Sequence, residues 1–331
     1  TKAFEKFENV VIHEGNVDME TAASSEGSLR KISYLLELKR LKKVIREINP
    51  DIVHAHYVSS YGLLGALSGR RPFAVSVWGT DVFSFPKQSF FHRKLFVYTL
   101  SKADAIFSTS RIMADETKLY TNKNILITPF GVDLQIFHPG DKDKRDVLRI
   151  GILKSVSPNY GQEYLIRAFA MVCEELPEKN LELVICGDGV GLDAMKNLVI
   201  TLGIEDKVQF MGYVMNEQIH EVHKTLDIEV YPSLHESFGV SVVESMACGN
   251  PVIASRVGGL QYLFKDGECG FLVPPAEIRP IVDSLKKLIL NKELREKMSI
   301  SARKSAEVEY DINNNADVMI KEYERLKSQK E

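Results

Sequence analysis

At 331 residues, with 44% hydrophobic and 26% charged residues, the chain has the profile of a globular protein long enough for two domains, each with its own core. A net charge of −3 gives no argument for nucleic-acid binding, and no apolar run approaches the roughly 18 residues of a membrane-spanning helix. The polar, charged start from Thr1 to Lys6 predicts no signal peptide. The four cysteines (Cys173, Cys186, Cys248 and Cys269) form no C-x-x-C pair, so neither a disulfide framework nor a zinc knuckle is expected and a reducing cytoplasm fits. Charge is unevenly spread. Residues 1–139 hold 18 Lys and Arg against 14 Asp and Glu, and the remainder 24 against 31. The mildly basic first part is either an ordinary solvated face or a surface for an anionic membrane or acceptor.

Strand-like and helix-like stretches alternate from end to end, which points to α/β with parallel sheets. Near the start only Val10-Val11-Ile12 resembles a strand, and no glycine-rich turn follows it. The sequence is therefore expected to begin inside its first domain. Leu29, Ile32, Leu35, Leu36, Leu41, Val44, Ile45 and Ile48 recur at helical spacing, with Lys39, Arg40, Lys42, Lys43 and Arg46 between them. That is an amphipathic helix with a basic outer side, stopped by Pro50. Strands are predicted at 51–56, 73–78, 104–109 and 125–128. His54 and His56 on the first of these are expected to face opposite sides, so that they do not share a metal ion.

The loop Pro129–Asp133 (PFGVD), then His138–Gly140 (HPG) and the charged run 141–146, concentrate structure breakers and mark a domain boundary. A second doubly wound pattern follows. It has strands at 148–153, 181–186, 208–213, 227–231 and 251–254, and helices at 161–176, 191–202, 216–225 and 239–248. The predicted domains are 1–139, 140–308 and a C-terminal helix in 309–331 that packs back on the first.

The most informative stretch is Tyr231–Gly249 (YPSLHESFGVSVVESMACG), a strand end, a polar loop and a helix entered near Gly239. Glycine and main-chain amides at a helix N-terminus make an anion site suited to a diphosphate. Glu236 lies in the loop, where a carboxylate can accept from sugar hydroxyls. Glu244 lies eight residues on, where it can accept a ribose diol, as acids do in dinucleotide sites. The plain alternatives are a capping acid and a surface residue. The apolar neighbours Phe238, Val242, Val243 and Met246 weaken the second, because a buried carboxylate needs a partner.

This segment resembles the E-x7-E signature of retaining glycosyltransferases of the GT-B fold, family 4. The resemblance extends to Val184–Gly189 (VICGDG), Val208–Val214 (VQFMGYV), Pro251–Ser255, Val257-Gly258-Gly259, Asp266-Gly267 and Gly270–Pro274. In the first half, Pro50–His56 (PDIVHAH), Trp78–Asp81 (WGTD) and Pro129–Asp133 match as well. It implies two Rossmann-like domains facing across a cleft. It also implies that Glu236 holds donor-sugar hydroxyls, that Glu244 holds the ribose, and that the main chain of Phe238, Gly239 and Val240 holds sugar and phosphate. Val214 is placed at the base, with Gly187 and Ser233 completing the donor site. Lys154 is the implied cation on the diphosphate. Tyr160 stands where such enzymes commonly carry a second lysine, and Arg256 is a substitute from a neighbouring loop. Asp81 is a candidate for orienting donor or acceptor, a turn or helix cap being its alternative. The family's frequent Glu after the Gly-Gly pair is absent around Gln261-Tyr262.

The activity implied is transfer of a hexose-type sugar from a UDP- or GDP-sugar, with retention, to a hydroxyl of a glycan or lipid-linked sugar in polysaccharide or glycolipid assembly. No metal and no cofactor beyond the nucleotide-sugar co-substrate is expected. Contact with the inner membrane face is a further expectation. The rivals are a nucleotide-sugar 2-epimerase, against which the E-x7-E spacing argues, and a non-catalytic nucleotide-sugar-binding protein. Product analysis without acceptor and donor binding without turnover separate them.

Overall fold

The computed structural model describes residues 8–17, 29–141 and 146–329, the side chains of 29–32 excepted. Residues 1–6, the side chains of Leu29 and Ile32, and 142–145 of the charged run lie outside the described residues. The chain divides into two compact units. One comprises Thr1–Ser108, Met113–Ile127 and Lys321–Glu331, the other Thr109–Ile112 and Thr128–Ile320.

The first unit holds a parallel sheet of β1 (Val53–His56), β2 (Phe73–Val77), β3 (Ala105–Ser108) and β4 (Ile125–Ile127), in that order. Apolar, β-branched runs suit a parallel sheet with helices on its faces, and every residue of β2 and β3 is buried. Helix Ser60–Ser68 packs so closely that a Cβ at Gly65 would overlap the ring of Phe73. From Lys321 onward the last helix, Ile312–Ser328, belongs to this unit. There the Tyr323 hydroxyl meets His54 Nδ1 at 2.5 Å, and Lys327 pairs with Asp51 at 3.0 Å.

Three expectations change here. Val10, Val11 and Ile12 form no strand and are exposed, Val11 by 77%, because no sheet edge receives this short run beside charged residues. The amphipathic stretch splits into a 3₁₀ segment, Leu29–Glu37, and an α-helix, Leu38–Ile48, capped by left-handed Asn49 (φ 50°) just before Pro50. No residue of that α-helix is fully buried, and Leu35, Leu36 and Ile48 are exposed, so its apolar side covers the neighbouring helices only in part. His54 and His56 share one face, their ring centroids 4.3 Å apart. Residues two apart on a strand point the same way, so the expectation of opposite sides was geometrically wrong. Burial, and then the neighbouring His56 ring, push His54 down to about 3, and burial lowers His56 from its ordinary value, so both are uncharged near neutrality.

The second unit holds six parallel strands in the order β10-β9-β8-β5-β6-β7. These are β5 (Leu148–Leu153), β6 (Leu181–Cys186), β7 (Val208–Gly212), β8 (Ile228–Tyr231), β9 (Val252–Ser255) and β10 (Gly270–Val273). The chain runs outward from β5 to β7, then restarts at β8 on the other side of β5. Helix Gln162–Glu175 packs on helix Ile278–Leu290, with Leu165, Ile166, Phe169, Leu285 and Leu288 excluded from solvent. The four cysteines are free and buried. Among the described residues, no helix is long and apolar enough to cross a membrane.

Candidate functional site

Where strand order reverses, the loops after neighbouring strands leave toward opposite faces of the sheet and open a crevice at the carboxyl ends. In the second unit that point lies between β5 and β8. The loops that follow them touch: the Leu234 N–H donates to the Asn159 carbonyl at 2.8 Å. Gly161, left-handed at φ 71°, lies against the Pro232 carbonyl, where any side chain would clash.

Lys154 leaves the end of β5 and Glu236 sits in the loop after β8. Their Nζ and Oε2 are 2.6 Å apart, and both side chains are largely buried, at 18% and 15% exposure. Such a charge-assisted bond in a partly dry crevice is stronger than an exposed pair. Tyr160 supplies a ring face to the same ammonium, 4.7 Å from its centroid. Gly187 at the end of β6 (φ 141°) abuts the Lys154 carbonyl, so that β6 can end beside this loop.

Helix Val240–Ala247 begins beside this pair. Gly239 precedes it in a left-handed turn (φ 103°); no side chain caps it and no acid stands in its first turn. Its amide dipoles therefore favour an anion here. Phe238 is 4% exposed and stands edge-on to Phe130 and Tyr310, which fixes the main chain entering the helix. The Gly259 N–H donates to the Glu236 carbonyl at 2.9 Å, and a Cβ at either Gly258 or Gly259 would overlap the 236–238 main chain. Only glycines let that loop lie so close.

The structure thus gathers Lys154, Glu236, Phe238 and Gly239 in one region, with Ser233 in the loop after β8 and Gly187, just past β6, against the Lys154 main chain. Ser233 is buried. Val240 opens the helix and is exposed. Val214 lies just past β7 and packs against the cluster of Leu153, Val184, Cys186, Val222 and Leu226. Arg256 turns to Asp266 at 2.9 Å. Asp81, in the first unit, is fully buried; it accepts from Val58 N–H through Oδ2, and from Trp78 and Gly79 N–H through Oδ1. That geometry ties together the loops after β1 and β2, with Trp78 beside His56 at 4.9 Å between centroids.

Glu244 has a partner that sequence reasoning missed. Its Oε2 lies 3.5 Å from Nε2 of His223, a fully buried ring whose Nδ1 is 2.8 Å from Glu229 Oε1. Tyr231 donates to Glu229 at 2.6 Å, and Asn250 donates both to Glu229 at 2.5 Å and to the His223 carbonyl at 2.8 Å. One signal was available: a glutamate inside the otherwise apolar strand Ile228-Glu229-Val230-Tyr231. Burial acts to lower the His223 pKa, but the charges and hydrogen bonds of Glu229 and Glu244 overcome it and raise it to about 9. Burial acts to raise Glu229, and His223, Tyr231 and Asn250 hold it below the usual carboxylate range. Among the described residues, no group of three or more His, Cys, Asp or Glu is arranged to hold a metal ion.

Residues 137–305 match the family described as glycosyl transferases group 1, and residues 11–110 match one described as glycosyl transferase 4-like. The chain belongs to the glycosyl transferases group 1 family. Among the curated relatives of this family member, D-inositol 3-phosphate glycosyltransferase of Mycobacteroides abscessus is 32% identical over 207 residues, 58% of this chain and 46% of that protein. This chain therefore spans about half of that relative's length. An uncharacterized glycosyltransferase of Methanocaldococcus jannaschii is 28% identical over 294 residues, 88% of this chain and 78% of that one. Among solved structures, Anabaena HepE in complex with UDP superposes with a TM-score of 0.77 at 19% identity, covering 87% of this chain and 82% of that one. The fold is GT-B in class, with a Rossmann-like parallel sheet in each unit.

The buried pair sets a pH dependence of stability. With His223 at about 9 in the folded chain against an ordinary 6.5, the folded state keeps a proton that the unfolded chain releases between those values. The contribution is full below about pH 6.5 and is lost as pH rises through about 9. Urea unfolding is expected to show a midpoint that falls over that interval. Replacing His223 with Leu, which leaves Glu229 buried without its cation, is expected to cost about 3–5 kcal/mol and flatten the alkaline fall. A midpoint unchanged between pH 7 and 9.5 contradicts an imidazolium at this position.

Proposed function

We propose that the chain is a retaining, metal-independent hexosyltransferase. It would move a sugar from a UDP- or GDP-sugar to a hydroxyl of a glycan or lipid-linked sugar, in polysaccharide or glycolipid assembly. The observation that carries this reading is the Lys154–Glu236 pair set against the uncapped start of helix Val240–Ala247, at the strand-order reversal. Structures of Anabaena HepE hold UDP, UDP-glucose, or UDP with glucose, which supports a nucleotide-sugar donor.

On this reading Lys154 and the amides of Phe238, Gly239 and Val240 receive the diphosphate. Glu236 takes donor-sugar hydroxyls, Glu244 takes the ribose diol, and Val214 flanks the base, with Gly187 and Ser233 lining the crevice. Arg256 adds positive charge nearby when it leaves Asp266, and Asp81 orients donor or acceptor through the turn it holds. The bond from anomeric carbon to phosphate oxygen breaks while the acceptor hydroxyl attacks from the same face, its proton passing to the departing diphosphate. Fixed positive groups stabilise the charge that grows there.

Calorimetry with UDP, GDP and ADP in EDTA tests the donor site and metal independence together. One nucleotide is expected to bind, and Glu244→Ala to weaken it by about 1–3 kcal/mol, as loss of a hydrogen-bonded charged partner does. Binding that needs added Mg²⁺ sinks metal independence, and no binding to folded protein sinks the donor site. NMR of the product is expected to show the donor's anomeric configuration; an inverted product refutes retention, and a sugar epimerised without acceptor favours the 2-epimerase.

The exposed Lys39, Arg40, Lys42, Lys43 and Arg46 on helix Leu38–Ile48, with exposed Phe90 and Phe91 on helix Phe90–Lys102, support contact with an anionic membrane surface on the cytoplasmic side. Sedimentation with phosphatidylglycerol vesicles is expected to show binding at low salt that high salt weakens. Absence of binding at low salt removes the idea.

A further inference from the structure

Below the helix that carries Glu244 lies the polar set described above, and the donor-site reading gives it no task. Interior strands of a parallel sheet are ordinarily apolar, and a buried ion pair is seldom more stabilising than a well-packed apolar replacement. Yet Glu229 sits between Ile228 and Val230 in the middle of the sheet, hydrogen-bonded by His223, Tyr231 and Asn250. The arrangement also has a direction. Nδ1 of His223 is held by fully buried Glu229, and its Nε2, which is buried without a hydrogen-bond partner, points to Glu244, the one of the two carboxylates that retains 18% side-chain exposure.

We propose that His223 is a positioning residue for Glu244: anchored by Glu229 through Nδ1, it turns Nε2 as a donor onto Glu244 Oε2 and so fixes that carboxylate for a ribose diol. This rests on the reading of Glu244 as the ribose acceptor. The 3.5 Å separation is an ion-pair contact that a small rotation of the Glu244 carboxyl closes to hydrogen-bond length. Holding one oxygen from below leaves the other to be shared by the two vicinal hydroxyls. Asn250 and Tyr231 fix Glu229 in turn, so the orientation is passed from β8 through His223 to the helix.

The charged groups facing His223 are Glu229 from β8 and Glu244 from helix Val240–Ala247; the ring of Phe137, 6.0 Å away, and Asn250 are uncharged. With both carboxylates raising it to about 9, His223 is an imidazolium at neutral pH and both its nitrogens donate. Above that value the proton facing Glu244 is lost. A nitrogen lone pair then confronts the carboxylate, the orientation fails, and ribose binding weakens.

The test is calorimetric affinity for UDP and for GDP from pH 6.5 to 10, on the wild type, Glu244→Gln and His223→Gln. The readout is the ratio of wild-type to Glu244→Gln affinity, from which ionisation of the base cancels. We expect a ratio of about tenfold at pH 7, equivalent to about 1.4 kcal/mol, that falls toward one as pH passes about 9. His223→Gln is expected to bind about tenfold more weakly at pH 7 with a flat profile, at temperatures where it is fully folded. A merely structural His223 would lower the melting temperature and leave both readouts unmoved. A ratio near tenfold at pH 7 that stays constant through pH 9, or wild-type affinity in folded His223→Gln, overturns the proposal. Wild-type affinity in Glu244→Gln at pH 7 overturns instead the ribose reading beneath it. If His223→Gln does not fold, the wild-type ratio alone decides.

Discussion

A parallel strand cannot be followed by its neighbour without a crossover, and the crossover's hand is fixed. A chain that builds outward from β5 to β7 and then adds β8 on the other side of β5 must therefore send the helices after β5 and β8 to opposite faces. The crevice between them follows from strand order rather than from any single residue. Once it exists, the main chain in it must pass very close to itself, and this is where glycine becomes obligatory. Gly161 lies against Pro232, Gly187 against Lys154, and the Gly258-Gly259 pair against Glu236 and Ser237. These contacts hold the Lys154 and Glu236 side chains within 2.6 Å although they are 82 positions apart in sequence.

The strand limits were largely legible, and for a physical reason. Strands covered on both faces read as uninterrupted apolar runs, so β5 at 148–153 and β6 at 181–186 could be placed to the residue. Val10-Val11-Ile12 has the same local composition and forms no strand, because composition does not say whether a sheet edge is there to receive it. The His54–His56 stack needed only the two-residue strand period, correctly applied. The partner of Glu244 was legible as a need but not as an identity. His223 is 21 positions away, and only the packing of two helices and a strand brings it near. Glu229 carried a signal by being a charge in an apolar strand, while Asn250, beside Pro251, carries none, because Asn next to Pro is common in ordinary turns.

Tyr160 gives the last link between sequence and electrostatics. A second lysine at that place would put two ammonium groups at the crevice, and Glu236 alone could not neutralise both. With Tyr160 there, the ring face stabilises one ammonium without adding charge. Lys154 and Glu236 then balance each other, and a diphosphate on the proposed reading must compete for Lys154 with a carboxylate already at 2.6 Å. The main-chain dipoles of helix Val240–Ala247 carry no such counter-charge. On that reading they would bear more of the anion's charge than they would beside two lysines. On the same reading Glu236, released from Lys154, would gain acceptor capacity as the sugar hydroxyls arrive. On the proposed reading, diphosphate and sugar recognition are coupled through one ion pair, so a nucleotide lacking its sugar would leave that carboxylate with neither Lys154 nor a sugar hydroxyl and would bind less well than its contacts alone suggest.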